Sequence, residues 1–177
     1  MRLFIALPMD EGTRAALKDY QAALRALGIR GSETRPENLH ITLAFLGELP
    51  DPAPVIEAMN AVHTAGPVSL ALDRPGRFQQ RDGALLWLGP GRDRPTQRLA
   101  AALGEALRER GLPLQDRPYQ AHITLFRRVK NADILPRLPE ISIPYRAESM
   151  VLYRSHRPDG VLTYTPLYIR PLSREEL

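Results

Sequence analysis

The chain has 177 residues, of which 44% are hydrophobic and none is cysteine; it carries a formal net charge of +4 and a sequence pI near 9.8. That length holds one domain with a full core, or two small lobes sharing one. The missing cysteines exclude disulfides, a thiol nucleophile and Cys-based zinc sites and agree with a cytoplasmic location, and no apolar run is long enough to cross a bilayer.

The elements follow in chain order. Leu3-Phe4-Ile5-Ala6-Leu7 is a short apolar run soon met by Asp10 and Glu11, which predicts a buried strand over residues 2–7 and not a signal peptide. From Thr13 to Leu27 the apolar residues Ala16, Leu17, Tyr20, Ala23, Leu24 and Leu27 recur at helical spacing, and Gly28 follows as a helix stop. His40-Ile41-Thr42-Leu43 reads as a strand, and Pro52 to Thr64 as a second helix with Asp51 as its N-cap and Gly66 as its stop. Ser69-Leu70-Ala71-Leu72 is a further strand, leading through a turn at Gly83 into Leu85-Leu86-Trp87-Leu88.

After the Gly-, Pro- and Arg-rich stretch Pro90 to Pro95, the order starts again. A helix is predicted over Thr96 to Arg110, with Leu99, Ala102, Leu103, Ala106 and Leu107 on its face and Gly111 after it. His122-Ile123-Thr124-Leu125 repeats the first tetrapeptide 82 residues on. A shorter helix is expected around Asn131 to Leu138, broken by Pro136, and Ser149-Met150-Val151-Leu152 is a strand that reaches a glycine turn at Gly160. Ser173 to Leu177 is expected to fray. The repeated order predicts an α+β fold of two pseudo-symmetric lobes, each an antiparallel sheet with helices packed outside and a cleft between them. The lobes span residues 8–89 and 94–170 of a single domain over 1–177, with the strand 2–7 added to the sheet.

Side chains on a strand alternate between faces, so His40 and Thr42 share one face while Ile41 and Leu43 share the other; His122 and Thr124 repeat the pattern. Two imidazoles and two hydroxyls brought together by approximate symmetry suit transfer at a cyclic phosphate. One proton must leave water and another must reach the leaving ribose oxygen, and imidazole fills either role near neutral pH. The threonine hydroxyls can hold non-bridging phosphate oxygens. No metal is expected, because the motifs carry no carboxylate at ligand spacing. His63 and His156 lack the following threonine and are read as a helix-face and a loop residue. The basic residues are 22 Arg against Lys18 and Lys130 alone, and the planar guanidinium suits a phosphate partner, although such an excess also solvates an ordinary surface.

At these residues the sequence resembles the 2H phosphoesterase superfamily, and within it the RNA 2',3'-cyclic phosphodiesterases, also called 2'-5' RNA ligases (LigT-like). The resemblance runs from Arg2-Leu3-Phe4-Ile5-Ala6-Leu7-Pro8 through Pro36-Glu37-Asn38-Leu39-His40-Ile41-Thr42-Leu43-Ala44-Phe45-Leu46-Gly47. It continues through Leu85-Leu86-Trp87-Leu88-Gly89 and Arg117-Pro118-Tyr119 to His122-Ile123-Thr124-Leu125-Phe126-Arg127, and ends with Ser155, Gly160 and Tyr164. It implies hydrolysis of RNA 2',3'-cyclic phosphate ends to 2'-phosphomonoesters, with joining of tRNA fragments through a 2'-5' linkage in some members. It further implies His40 as the proton donor to the leaving 3' oxygen, His122 as the base, Thr42 and Thr124 as holders of phosphate oxygens, Phe45 near the nucleobase and Arg127 on the phosphate.

Strict alternation sets Phe45 with the core face and Arg127 out of phase with His122, so packing and substrate contact are both open for Phe45, and only a bulge would turn Arg127 inward. Tyr119 is equally open between stacking a base and packing the core, and Trp87 is read as core. The expected partner is RNA with a cyclic phosphate end, acted on by a monomer without cofactors. A nucleotide in the cleft stays open, with no Gly-x-x-x-x-Gly-Lys loop to argue for it. An RNA-binding module without turnover, or a phosphodiesterase of small cyclic nucleotides, are the alternatives; the module does not explain why histidine and threonine recur in step, and against the second only the resemblance of the Pro36-Glu37-Asn38-Leu39 lead-in to the RNA group speaks.

Overall fold

The computed structural model describes residues 1–112, 114–133 and 138–174. In chain order its elements are β1 (Arg2–Pro8), α1 (Glu11–Ala26), β2 (Ser32–Glu33), β3 (His40–Glu48), α2 (Ala53–Ala61), β4 (Val68–Gln80) and β5 (Gly83–Pro90). They continue with α3 (Pro95–Glu109), β6 (Ile123–Val129), β7 (Ile143–Ala147), β8 (Ser149–His156) and β9 (Thr163–Pro171). The shorter helix and the C-terminal tail expected from sequence fall partly outside the described residues.

The fold is α+β, with two antiparallel sheets in the strand orders β3-β1-β8-β9 and β2-β6-β5-β4-β7. Helix α1 starts where the Asp10 side chain accepts the Thr13 N–H at 2.7 Å, buries Leu17, Tyr20 and Leu24, and ends before Gly28. Gly28 adopts φ +105°, the left-handed turn that glycine takes without strain. Helix α3 buries Leu99, Leu103 and Leu107 and ends in the same way at Gly111. Each helix leans on one sheet: α1 lies against β7 and reaches β6 through Gln21, whose amide donates to the Leu125 carbonyl at 3.1 Å, while α3 packs on β3.

The repeat is present, with a different partition from the expected one. The order strand, helix, motif strand, crossing strand runs as β1-α1-β3-β4 and again as β5-α3-β6-β8. β1 is therefore not an added strand: its counterpart is β5, and both run buried through the middle of a sheet. The last strand of each repeat crosses to the other repeat's sheet, β4 pairing with β5 and β8 with β1. Residues 8–89 and 94–170 thus do not bound separate sheets, and Pro90 to Pro95 joins β5 to α3 inside the second repeat. A sequence pattern shows the period of a repeat but not which copy its strands pair with, because pairing is decided by contacts far apart in the chain.

Leu3, Ile5 and Leu7 of β1, Leu86 and Leu88 of β5, and Ile41, Leu43, Ile123 and Leu125 of the motif strands all belong to one continuous core. Phe4 and Trp87, buried as well, stand on the opposite faces of their strands. Those faces carry the motif histidines.

Candidate active site

β3 and β6 belong to different sheets, yet their Cα atoms approach within 8 Å, and this close approach brings the two motifs together. Each imidazole is oriented the same way. His40 Nδ1 lies 2.7 Å from the Asn38 carbonyl, and His122 Nδ1 lies 2.9 Å from the Gln120 carbonyl, in both cases two residues upstream. A carbonyl only accepts, so Nδ1 carries the proton and Nε2 is the free nitrogen of the neutral ring. The Thr42 hydroxyl donates to His40 Nε2 at 3.0 Å. Thr124 sits two residues after His122, half-buried like Thr42.

Aromatic rings wall both imidazoles. His40 lies 5.1 Å from the Phe4 ring and meets Tyr164 edge-on at 5.2 Å; His122 meets Phe78 edge-on at 5.0 Å and lies 6.0 Å from Trp87. This burial pushes the His40 imidazole down from 6.5 to about 4; the Asn38 carbonyl works against the shift, and the charges of His122 and Arg127 add to it. His122 is pushed down too, by burial first and then by Arg127, against the Gln120 carbonyl. The guanidinium of Arg127 therefore acts on both histidines at once, and His122 acts on His40. His40, His122 and Arg127 share one electrostatic neighbourhood.

Arg127 and Phe45 occupy the same position, five residues after each histidine, and both are turned by bulges. In β3 the ladder with β1 skips Leu43 and Leu46, and both bury themselves in the core. Phe45 is consequently 52% exposed, its ring 6.1 Å from Phe4 on the histidine face. In β6 the ladder with β5 skips Leu125, so Leu125 and Phe126 are both buried and Arg127 is exposed. The core placement that alternation allowed for Phe45 is thus corrected by the bulges.

Tyr119 stands elsewhere. Its hydroxyl donates to the Thr42 carbonyl at 3.1 Å and its ring packs on the core, so it ties the approach to the second motif to the strand of the first. Trp87 is buried as expected, but its ring backs His122. His63 lies just beyond the end of α2, and His156 closes β8 with its Nε2 at 2.6 Å from the Thr165 hydroxyl.

Sequence reasoning missed Phe4, Phe78 and Tyr164 as neighbours of the imidazoles. Phe4 alternates with Leu3 and Ile5, which places it opposite the core, but a strand buried on both faces hides that signal. Phe78 lies on β4, a strand that crosses from the other repeat.

With this geometry the chain can be set beside known proteins. It is 33% identical over 163 residues to the RNA 2',3'-cyclic phosphodiesterase of Geobacillus stearothermophilus, across 86% of this chain and 52% of that protein, so it spans about half that relative's length. It is also 33% identical over 153 residues to the enzyme of the same name from Archaeoglobus fulgidus, across 84% of this chain and 83% of that protein. The crystal structure of E. coli LigT complexed with 3'-AMP superimposes with a TM-score of 0.82 at 26% identity, covering 97% of this chain and 96% of that one. The family model of the 2'-5' RNA ligase superfamily matches residues 13–159, and with the paired motifs on their two facing strands the chain belongs to that superfamily.

Proposed function

We propose that the chain hydrolyses 2',3'-cyclic phosphate ends of RNA to 2'-phosphomonoesters, with His40 and His122 as its acid–base pair. The observation that carries this reading is the matched pair of imidazoles, each held at Nδ1 by a main-chain carbonyl, within charge range of each other and of Arg127. His122 Nε2 takes a proton from water as the water oxygen bonds to phosphorus. The bond from phosphorus to the 3' oxygen breaks, and His40 Nε2 returns a proton to that oxygen. Thr42, Thr124 and Arg127 hold the non-bridging oxygens, where charge builds in the transition state. Phe45, exposed on the histidine face, offers its ring to the terminal base. A 5'-hydroxyl in place of water gives a 2'-5' linkage by the same proton transfers. LigT, the structural neighbour, is complexed with a nucleotide carrying a 3'-phosphate, a ligand of the same chemistry. Among the described residues no helix is long and apolar enough to cross a membrane, and we take the protein to act as a cytoplasmic monomer.

The test is release of a 2'-phosphate end from a cyclic-phosphate oligonucleotide in the presence of EDTA. His40→Ala and His122→Ala should each lower kcat by about 10²–10⁴-fold while leaving RNA bound. Tight binding without turnover by the unaltered protein would make it a binding module instead.

A further inference from the structure

The face of the first sheet that carries His40 continues past the histidine. Strand register sets Arg2 of β1 opposite Ser155 of β8, and Ser155 opposite Tyr164 of β9, a row of three polar side chains across three adjacent strands. The row shares its face with Phe4, two residues along β1 or about 7 Å at the rise of a strand. Phe4 stacks on Tyr153 at 5.4 Å and meets Tyr164 edge-on at 4.9 Å, and Tyr164 in turn touches His40. Arg157 follows in the turn after β8, exposed like Arg2.

Among the described residues Arg2, Arg127 and Arg157 form no ion pair. Glu48 faces Arg2 across the ladder, but its carboxylate takes the N-terminal ammonium at 3.3 Å. All three guanidiniums act by charge on the same phenol: burial raises the Tyr164 pKa, and Arg127, Arg157 and Arg2 pull it back. Like charges gathered beside a partly desolvated cleft repel, and an anion removes that repulsion. The cyclic phosphate at the histidines accounts for Arg127. It leaves Arg2 and Arg157, with two hydroxyls between them, facing outward along the same wall.

We propose that Arg2, Arg157 and the hydroxyls of Ser155 and Tyr164 form a second anion subsite, which takes the phosphodiester one nucleotide upstream of the cyclic phosphate. The enzyme thereby selects the end of an RNA chain over a free cyclic mononucleotide. This rests on the phosphodiesterase reading above and adds to it the residues that would read the next phosphate of the RNA chain. Guanidinium forks suit a phosphodiester, whose two non-bridging oxygens accept in pairs.

The experiment compares three substrates: adenosine 2',3'-cyclic phosphate, the dinucleotide ApA with a 2',3'-cyclic phosphate end, and the same dinucleotide with an uncharged methylphosphonate between its nucleosides. The ordinary dinucleotide should exceed the other two in kcat/KM on the order of tenfold at low salt, with the preference shrinking as salt rises. The double variant Arg2→Ala, Arg157→Ala should bring the ratio of dinucleotide to mononucleotide close to one. Equal kcat/KM for mononucleotide and dinucleotide in the unaltered protein overturns the subsite. A methylphosphonate as good as the phosphodiester also overturns it, since stacking of the second base would then explain the preference. If no substrate turns over, the hydrolytic reading fails, and the subsite is decided by calorimetric binding of the 2'-phosphorylated dinucleotide and mononucleotide: tighter dinucleotide binding lost in the double variant keeps it, and equal binding removes it.

Discussion

Asn38 and Gln120 each lend a main-chain carbonyl to the histidine two residues on, and this small device leaves only Nε2 to meet a substrate. The same burial that orients the rings pushes both away from the protonated state, His40 down to about 4. A reaction that needs one imidazolium must recover that proton, and a bound phosphate supplies the cause, since an anion beside an imidazole favours its charged form. Histidine signals followed by NMR should place His40 near pH 4 in the empty protein and move it upward when inorganic phosphate is added. Under turnover the alkaline limb, where the acid loses its proton, should lie at higher pH in kcat than in kcat/KM, because the first reports the complex and the second the free enzyme. Coincident limbs would deny the phosphate this role. Stability carries the same sign. The unfolded chain binds a proton at His40 near 6.5 and the folded chain only near 4, so the denaturant midpoint should fall as pH drops across that window, and it should fall less in His40→Ala.

Within the elements, β5 shows how a strand supports the site from behind. Gly76 of β4 pairs with Trp87, and a Cβ built on Gly76 would lie 2.2 Å from the indole ring, so the ring rests on bare backbone. Gly76→Ala must push Trp87 aside, towards Phe78 and His122. We expect a loss of about 1–3 kcal/mol in urea unfolding, as overpacking costs elsewhere, together with a lower kcat. A change under about 0.5 kcal/mol would mean that the ring is free to move. Phe45→Ala, by contrast, removes an exposed ring and should raise KM with little effect on stability.

These elements also mark where sequence reading succeeds and stops. The helices were legible because their 3.6-residue period is local: 13–27 was expected against Glu11–Ala26, and 96–110 against Pro95–Glu109. The paired His-x-Thr strands were legible for the same reason. Phe45 and Arg127 were not, because a bulge changes the phase of a strand only through the partner it pairs with, and β1 and β5 lie far away in sequence. Tyr119 stayed open between stacking a base and packing the core; only the folded chain shows its hydroxyl on Thr42.

At the scale of the whole molecule, the exchange of β4 and β8 between the repeats means that neither half owns a complete sheet. Residues 1–92 alone lack β6 to β9, and residues 93–177 alone lack β1 to β5. Each half expressed alone should be unfolded by circular dichroism, while the two mixed should recover a folded complex with measurable phosphodiesterase activity. The intact chain should unfold in one transition, with near-UV and far-UV signals coincident. Two separated transitions would show that the sheets are independent units.

The same exchange orders events at the ribosome. β1 is made well before β8, which is completed only at His156, so one edge of β1 stays uncovered until then. A nascent chain that has emerged through residue 133 already presents both histidines, yet neither Tyr164, which walls in the first of them, nor Tyr153, which stacks on Phe4 behind it, has emerged. The phosphate site is therefore assembled only after β8 and β9 have joined β1, long after the first motif strand has been made.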